Sequence, residues 1–304
     1  MPELPEVESV RRGLAAGVTG ARVTAVQVYR DSCVRRVPGG PAHFAAELSD
    51  AVLASAVRRG KFLWLELGDG RALSAHLGMS GQFRIHNGQA PEPHQHCRAR
   101  LTLDRPDGPL ALDFIDQRTF GYLDIEELLP TPDRLPGGKG SATAAVPASV
   151  AHIGRDVLDP ALSRRGTLRA WRRGSRGIKQ VLLDQTLVSG IGNIYADEAL
   201  WRARVHPATP ASALSGKATG ALLDATRAVM EAALEAGGTS FDALYVNVNG
   251  ESGYFSRELD AYARGGKPCR RCGRPLKRAV MGGRSTHWCP RCQRVPRRSL
   301  GDGR

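Results

Sequence analysis

No stretch of the 304 residues approaches the roughly 18 consecutive apolar residues that a membrane span needs, and the opening is acidic where a secretory signal would be basic and then apolar. Membrane-embedded and exported classes are set aside, and the expectation is a cytoplasmic protein. Internal repeats are also missing, which excludes solenoids and propellers. Acidic residues are absent altogether from residues 264–298, a stretch that holds twelve Lys or Arg. Of the net charge of +13, almost all has that address, because the remaining chain carries 31 basic against 30 acidic residues. A charge that served only solubility would be spread out. One concentrated basic module is the footprint expected of a polyanion-binding surface, a solvated basic tail being the alternative.

Cysteine is scarce, and its arrangement is informative. Four of the six form C-x2-C-x16-C-x2-C: Cys269, Cys272, Cys289 and Cys292. Two such knuckles offer four thiolates to one tetrahedral, structural Zn2+; paired disulfides are the competing reading, which a cytoplasmic location disfavours. Four thiolates and one zinc ion leave the net charge near about +11, so the basic patch survives metal binding. Cys33 and Cys97 stand alone and read as buried hydrophobes.

What is present divides the chain. At about 150 residues per domain the length suggests two domains, and 41% hydrophobic content is enough for a sizeable core. Residues 23–28, 62–67, 98–103 and 110–115 alternate or are richly apolar between Gly, Pro and Asp, which predicts antiparallel strands. Residues 129–150, rich in Pro, Gly, Ala and Ser, read as a flexible insertion or linker. Beyond it the period becomes helical, with Leu222, Thr226, Val229, Met230, Ala233 and Leu234 on one face and Gly237 as the stop.

Several short motifs carry chemistry. Residues 187–196, LVSGIGNIYA, read as helix, glycine hairpin, helix: Gly190 and Gly192 permit close approach and the opening N–H groups of the next helix suit a phosphate, unless Asn193 simply caps an ordinary hairpin. HLGMSG places Met79 on a glycine-flanked turn, DQRTFG sets Arg118 beside Phe120, and RGK brings Lys61 to the start of a strand. Each alone reads as packing or solvated surface; together they describe a wedge and a cation lining a groove. The opening MPELPEVE allows two readings. Pro5, Glu6 and Glu8 suit a helix start, whereas Pro2, once Met1 is removed, presents a secondary amine. Such an amine, with a pKa near 8, keeps a useful neutral fraction at cellular pH.

The motifs MPELPEVE, RRGKFLWLEL, HLGMSG, DQRTFG, LVSGIGNIYADEALW, NGESGYF and the four-cysteine finger occur in this order in bacterial formamidopyrimidine-DNA glycosylase, and the sequence resembles that family over nearly its whole length. The start resembles it more than the related endonuclease VIII. The resemblance implies an α+β fold: an N-terminal helix plus antiparallel β-sandwich domain (1–133), an insertion or linker (134–150), a helical helix-two-turn-helix domain (151–262), a β-hairpin zinc finger (263–298) and a tail (299–304). It implies a monomeric base-excision repair enzyme, with no membrane partner, that removes 8-oxoguanine and formamidopyrimidines from damaged double-stranded DNA and cleaves the strand by β,δ-elimination.

By the same resemblance Pro2 is the nucleophile, Glu3 a proton donor, Lys61 the acid of β-elimination and Arg284 the donor of δ-elimination. Met79, Arg118 and Phe120 fill the gap left by the flipped base; His94, Lys179, Asn193, Arg264 and Arg284 hold the DNA backbone; residues 246–256 form a lid. One departure stands out: Gly174 occupies a place where the family often has a DNA-contacting lysine. Two rivals remain, an endonuclease VIII-like enzyme for oxidised pyrimidines and a non-catalytic zinc-ribbon DNA-binding protein.

Overall fold

The computed structural model describes residues 2–237 and 259–295; the expected lid and the 299–304 tail lie outside the described residues. Two compact units divide the chain, one built on residues 2–153 and the other on 154–232 with 259–295. Among the described residues no helix is long and apolar enough to cross a membrane.

In the first unit, helix α1 (Leu4–Val18) starts at Glu3 as its cap residue, with Pro5 in the first turn, where its missing N–H leaves nothing unpaired. Glu6 reaches back to accept from the Glu3 backbone N–H at 2.8 Å, one half of a capping box. Leu4, Val7, Val10, Leu14 and Val18 recur at helical spacing and all are buried. Strand β1 (Arg22–Val28) and helix α2 (Gly40–Leu48) follow, then strands β2 (Leu53–Arg59), β3 (Phe62–Leu67), β4 (Arg71–His76), β5 (Gly81–Asn87), β6 (Cys97–Asp104), β7 (Leu110–Asp116), β8 (Tyr122–Pro130) and β9 (Ala145–Pro147). They pair antiparallel in two sheets, β1-β6-β7-β5 and β2-β3-β4-β8-β9. One apolar core draws on α1 and both sheets, with Leu65 and Leu73 from one and Leu101, Leu112 and Phe114 from the other. This is the antiparallel β-domain expected from the alternation; Cys33 and Cys97 are buried in it.

The stretch 134–150 differs from the flexible linker its composition suggests. Arg58 and Lys139 exchange backbone hydrogen bonds of 3.0 and 2.9 Å, β9 extends the five-stranded sheet, and Val146 is fully buried beside Trp64. The glycines serve close approach rather than freedom: a Cβ at Gly137 would lie 1.9 Å from the Ala145 carbonyl oxygen, and one at Gly138 would lie 2.3 Å from that of Arg58.

The second unit holds α3 (Arg164–Trp171), α4 (Ile178–Leu182) and α5 (Asn193–Arg202), followed in sequence by α6 (Gly216–Glu235). Ser163 caps α3 by accepting from Gly166 N–H at 3.1 Å. Gly237 follows α6 with φ of 77°, the left-handed stop read from the sequence. Strands β10 (Lys277–Met281) and β11 (Arg284–Trp288) form a hairpin whose turn, Gly282-Gly283, has φ of 57° and 75°, the positive pair that tight twisted hairpins require.

Candidate active site and nucleic-acid interface

Pro2 and Glu3 are buried at the entry to α1. Five residues on, Glu8 is 2% exposed and gathers three arginines: Arg11 donates to both its oxygens at 3.0 Å, Arg12 at 3.1 Å and Arg58 at 2.9 Å. Burial pushes the Glu8 carboxyl up, but the Arg11 hydrogen bonds and the Arg58 charge outweigh it and hold the carboxyl below its ordinary value. Arg58 also donates to the Gly60 carbonyl at 3.0 Å. Gly60, with φ of 59°, makes the β2–β3 turn, and Lys61 follows it. Helix α1, which follows directly on Pro2 and Glu3, is thus tied through a buried ion pair to the turn that precedes Lys61.

The side chains expected to form the wedge sit on two loops. Met79 is 39% and Phe120 52% exposed, large apolar surface that the fold does not cover, and Arg118 Nη1 lies 3.9 Å from Met79 Sδ. Between Arg118 and Phe120, Thr119 holds φ of 55°, a strained conformation for a β-branched residue and one that concentrates at functional sites. The loops touch backbone to backbone: a Cβ on Gly78 would meet the Gly121 nitrogen at 2.8 Å. Arg35 donates to the Phe120 and Gly121 carbonyls at 3.0 and 2.8 Å. Arg36 lies over the Tyr122 ring, which stacks on His76 with ring centroids 5.0 Å apart. Burial, with Arg36 and Arg35 adding to it, holds the His76 pKa below its ordinary value, so the neutral ring accepts from Gly78 N–H at 3.2 Å through Nδ1. His94 is exposed on the loop before β6, 5.4 Å from the His96 ring.

In the second unit the glycine hairpin 183–192 is tied from within by Gln185, which donates to the Leu183 and Ile191 carbonyls and accepts from Gly190 N–H, each at 2.9 Å. Gly192, not Asn193, is the cap residue of α5. Asn193 instead donates to the Ser285 carbonyl at 2.9 Å, and its Oδ1 is buried without a partner among the described residues. Lys179 is 2% exposed rather than presented to solvent. Its ammonium donates to Asp197 at 2.6 Å, the Ser285 carbonyl at 3.1 Å and Thr286 at 2.9 Å. Asp197 also accepts from His287 N–H at 2.9 Å. Lys179, Asn193 and Asp197 therefore fix β11 at the residues next to Arg284, which stays exposed. Arg264 is half-buried, its guanidinium on the carbonyls of Leu259, Asp260 and Pro268 at 3.1 to 3.4 Å. Gly174 has φ of 77° and open space around it, and the neighbouring Arg176 pairs with Asp184 at 3.0 Å.

Cys269, Cys272, Cys289 and Cys292 bring their sulfurs within 4.8 Å of one another. Tetrahedral Zn–S bonds of about 2.3 Å set sulfurs roughly 3.8 Å apart, so the four fit one structural zinc ion. Burial raises the Cys269 thiol, but the Trp201 N–H at 3.4 Å and backbone N–H groups bring it to about 6. Burial and the adjoining Cys272 and Cys289 thiols push Cys292 up to about 12.

An antiparallel sandwich opened by a buried Pro-Glu pair, a helical hairpin with a glycine turn and a basic four-cysteine finger occur together on one chain. Three family models match in chain order: the formamidopyrimidine-DNA glycosylase N-terminal domain over residues 1–123, the formamidopyrimidine-DNA glycosylase H2TH domain over 153–244, and the zinc finger found in FPG and IleRS over 266–295. The chain belongs to the formamidopyrimidine-DNA glycosylase family. It is 52% identical to the formamidopyrimidine-DNA glycosylase of Salinispora arenicola, over 99% of each chain. It is also similar to the MutM (Fpg) protein of Thermus thermophilus (36% identity, TM-score 0.76, 97% of this chain and 99% of that one). A Lactococcus lactis Fpg variant solved with Fapy-dG-containing DNA matches at 29% identity and TM-score 0.78, over 96% and 100% of the two chains.

Proposed function

We propose that this chain excises oxidised purines, 8-oxoguanine and formamidopyrimidines, from double-stranded DNA and then cleaves the strand by β,δ-elimination, acting as a monomer in the cytoplasm on nucleoid DNA. The observation that carries the reading is the match to all three family domains, in order, on a chain that begins Met-Pro-Glu.

The chemistry follows from a secondary amine. With Met1 removed, the neutral Pro2 nitrogen attacks C1′ of the damaged nucleotide as the N-glycosidic bond breaks and the base leaves with a proton; the nitrogen gives up its own proton, Glu3 protonates O4′, the C1′–O4′ bond opens, and sugar and enzyme are joined as an iminium. That cation draws electrons from C2′, whose proton is lost while the 3′ phosphate leaves. Lys61 supplies the acid of this β-elimination, and Arg284 the proton for the subsequent loss of the 5′ phosphate. Flipping the base leaves a hole in the stack at a cost of a few kcal/mol, which insertion of Met79, Arg118 and Phe120 offsets. His94, Arg264 and Arg284 hold backbone phosphates. Lys179 and Asn193 serve the same grip by fixing the hairpin that carries Arg284. The zinc ion, held by the four cysteines, contributes folding energy to the finger rather than a chemical step.

The reading is tested with duplexes carrying 8-oxoguanine, thymine glycol or uracil, resolving product ends on a denaturing gel. It expects a nick bearing phosphate at both ends with 8-oxoguanine. Preferential cleavage at thymine glycol would make the chain an oxidised-pyrimidine enzyme, and binding without cleavage would leave it a DNA-binding protein.

A further inference from the structure

The motif that carries Arg118 and Phe120 opens with an acid that the chemistry above leaves unused. Asp116, the last residue of β7, is 0% exposed. Its Oδ1 accepts the Ser80 hydroxyl at 2.5 Å and the Arg118 backbone N–H at 3.2 Å; its Oδ2 accepts the Gly121 N–H at 2.7 Å. The Ser80 oxygen also accepts from the Arg118 N–H, at 3.1 Å. Ser80 follows Met79 directly, and Arg118 and Gly121 bracket Phe120. One buried carboxylate therefore joins both loops that carry the three exposed side chains.

Its own position is fixed: Asp116 N–H donates to the His96 carbonyl at 2.9 Å, Arg98 Nε donates to the Asp116 carbonyl at 2.6 Å, and Asp116 stands opposite Gly81 in the β5–β7 register. A carboxylate this buried is costly to keep unless hydrogen bonds satisfy it, and here a hydroxyl and two backbone N–H groups do so. A core position chosen for stability alone has no need of it. The arrangement also holds Thr119 in its left-handed conformation between two anchored N–H groups.

We propose that Asp116 is a positioning residue for strand opening: it sets the Met79, Arg118 and Phe120 loops in their inserting arrangement before DNA arrives, so that ordering entropy is not charged against base flipping. The proposal rests on the reading of these three side chains as the wedge. Asp116→Asn preserves shape but turns one acceptor into an NH2 group facing a donor. Base unstacking is followed by the fluorescence of 2-aminopurine beside an 8-oxoguanine, and elimination is followed separately at a preformed abasic site, with the melting temperature recorded for each variant. Asp116→Asn is expected to slow unstacking on the order of tenfold more than it slows elimination. Ser80→Ala, which removes only the link between the loops, should show the same selectivity to a smaller degree and decides the matter if Asp116→Asn fails to fold. Phe120→Ala serves as the reference. Equal losses in both steps for the Asp116 and Ser80 variants, with Phe120→Ala selective for unstacking, would overturn the positioning role and leave the wedge standing. Equal losses for Phe120→Ala would remove the wedge, and this role with it.

Discussion

Glu8→Gln is the most demanding perturbation of the first unit. Glu8 and Arg58 are each 2% exposed, and Arg11 is 9% exposed. The substitution keeps the volume but takes the Glu8 charge away from the buried Arg11 and Arg58 guanidinium groups and turns an amide donor toward them. Removing one partner of a buried pair costs about 3–5 kcal/mol. In a unit of this size 1 kcal/mol moves the midpoint by about 2–4 °C, so thermal unfolding should shift down by roughly 6–20 °C. The pH dependence has a definite sign. A carboxyl held below its ordinary value of 4.5 contributes stability above that value and loses it as pH falls through the folded pKa. The native chain should therefore lose stability more steeply below about pH 4.5 than the variant. Because Arg58 also holds the Gly60 carbonyl, elimination at a preformed abasic site should slow as well. Calorimetry and urea titration between pH 3 and 7 are the assay, with Arg58→Gln and the double variant completing a cycle. A cost below about 1 kcal/mol, or purely additive single variants, would refute the view that this ion pair ties α1 to the Lys61 turn.

Other outcomes follow from the second unit. Metal analysis should find one zinc per chain, and Cys272→Ser should lose it together with most DNA affinity while the first unit melts unchanged; a metal-free native protein would contradict the four-thiolate site. Affinity for undamaged duplex should fall linearly in log K against log salt, and Arg284→Ala should flatten that slope by about one phosphate's worth, roughly 0.9. Arg284 suits this test better than Arg264, whose guanidinium holds three carbonyls, and an unchanged slope would take it out of the interface. Lys179→Met should lower the melting temperature of the second unit as well as weaken binding, since its ammonium lies against Asp197; lost affinity with an unaltered melt would restore it to a direct phosphate contact.

Local signals were the legible ones. The start of α1, the strand at 62–67, the stop at Gly237 and the four cysteines are each written within a few residues, in caps, alternation, a left-handed glycine and knuckle spacing. Residues 134–150 misled because glycine and proline mark both freedom and close approach, and only the partner strand tells them apart. Lys179, expected from the resemblance to hold the DNA backbone, gives no sign in the sequence of the ion pair it makes with Asp197, 18 residues later on α5. Asp116, Gln185 and Glu8 escaped for a related reason: each binds atoms that are close only after folding, and their spacing matches no template. An acid that ends an apolar strand run two residues before Arg118 is the one sequence signal that could have found Asp116.

The central claim is that the Pro2 nitrogen is the nucleophile, and covalent trapping tests it most directly. Enzyme and an 8-oxoguanine duplex are mixed with borohydride, and the adduct is digested and mapped by mass spectrometry. The account predicts one reduced linkage, on the N-terminal peptide at Pro2, and none when Met1 is retained behind an uncleaved tag, because the nitrogen is then an amide with no available lone pair. An adduct on Lys61, or normal excision by the tagged protein, would contradict it and return Pro2 to a helix-start residue.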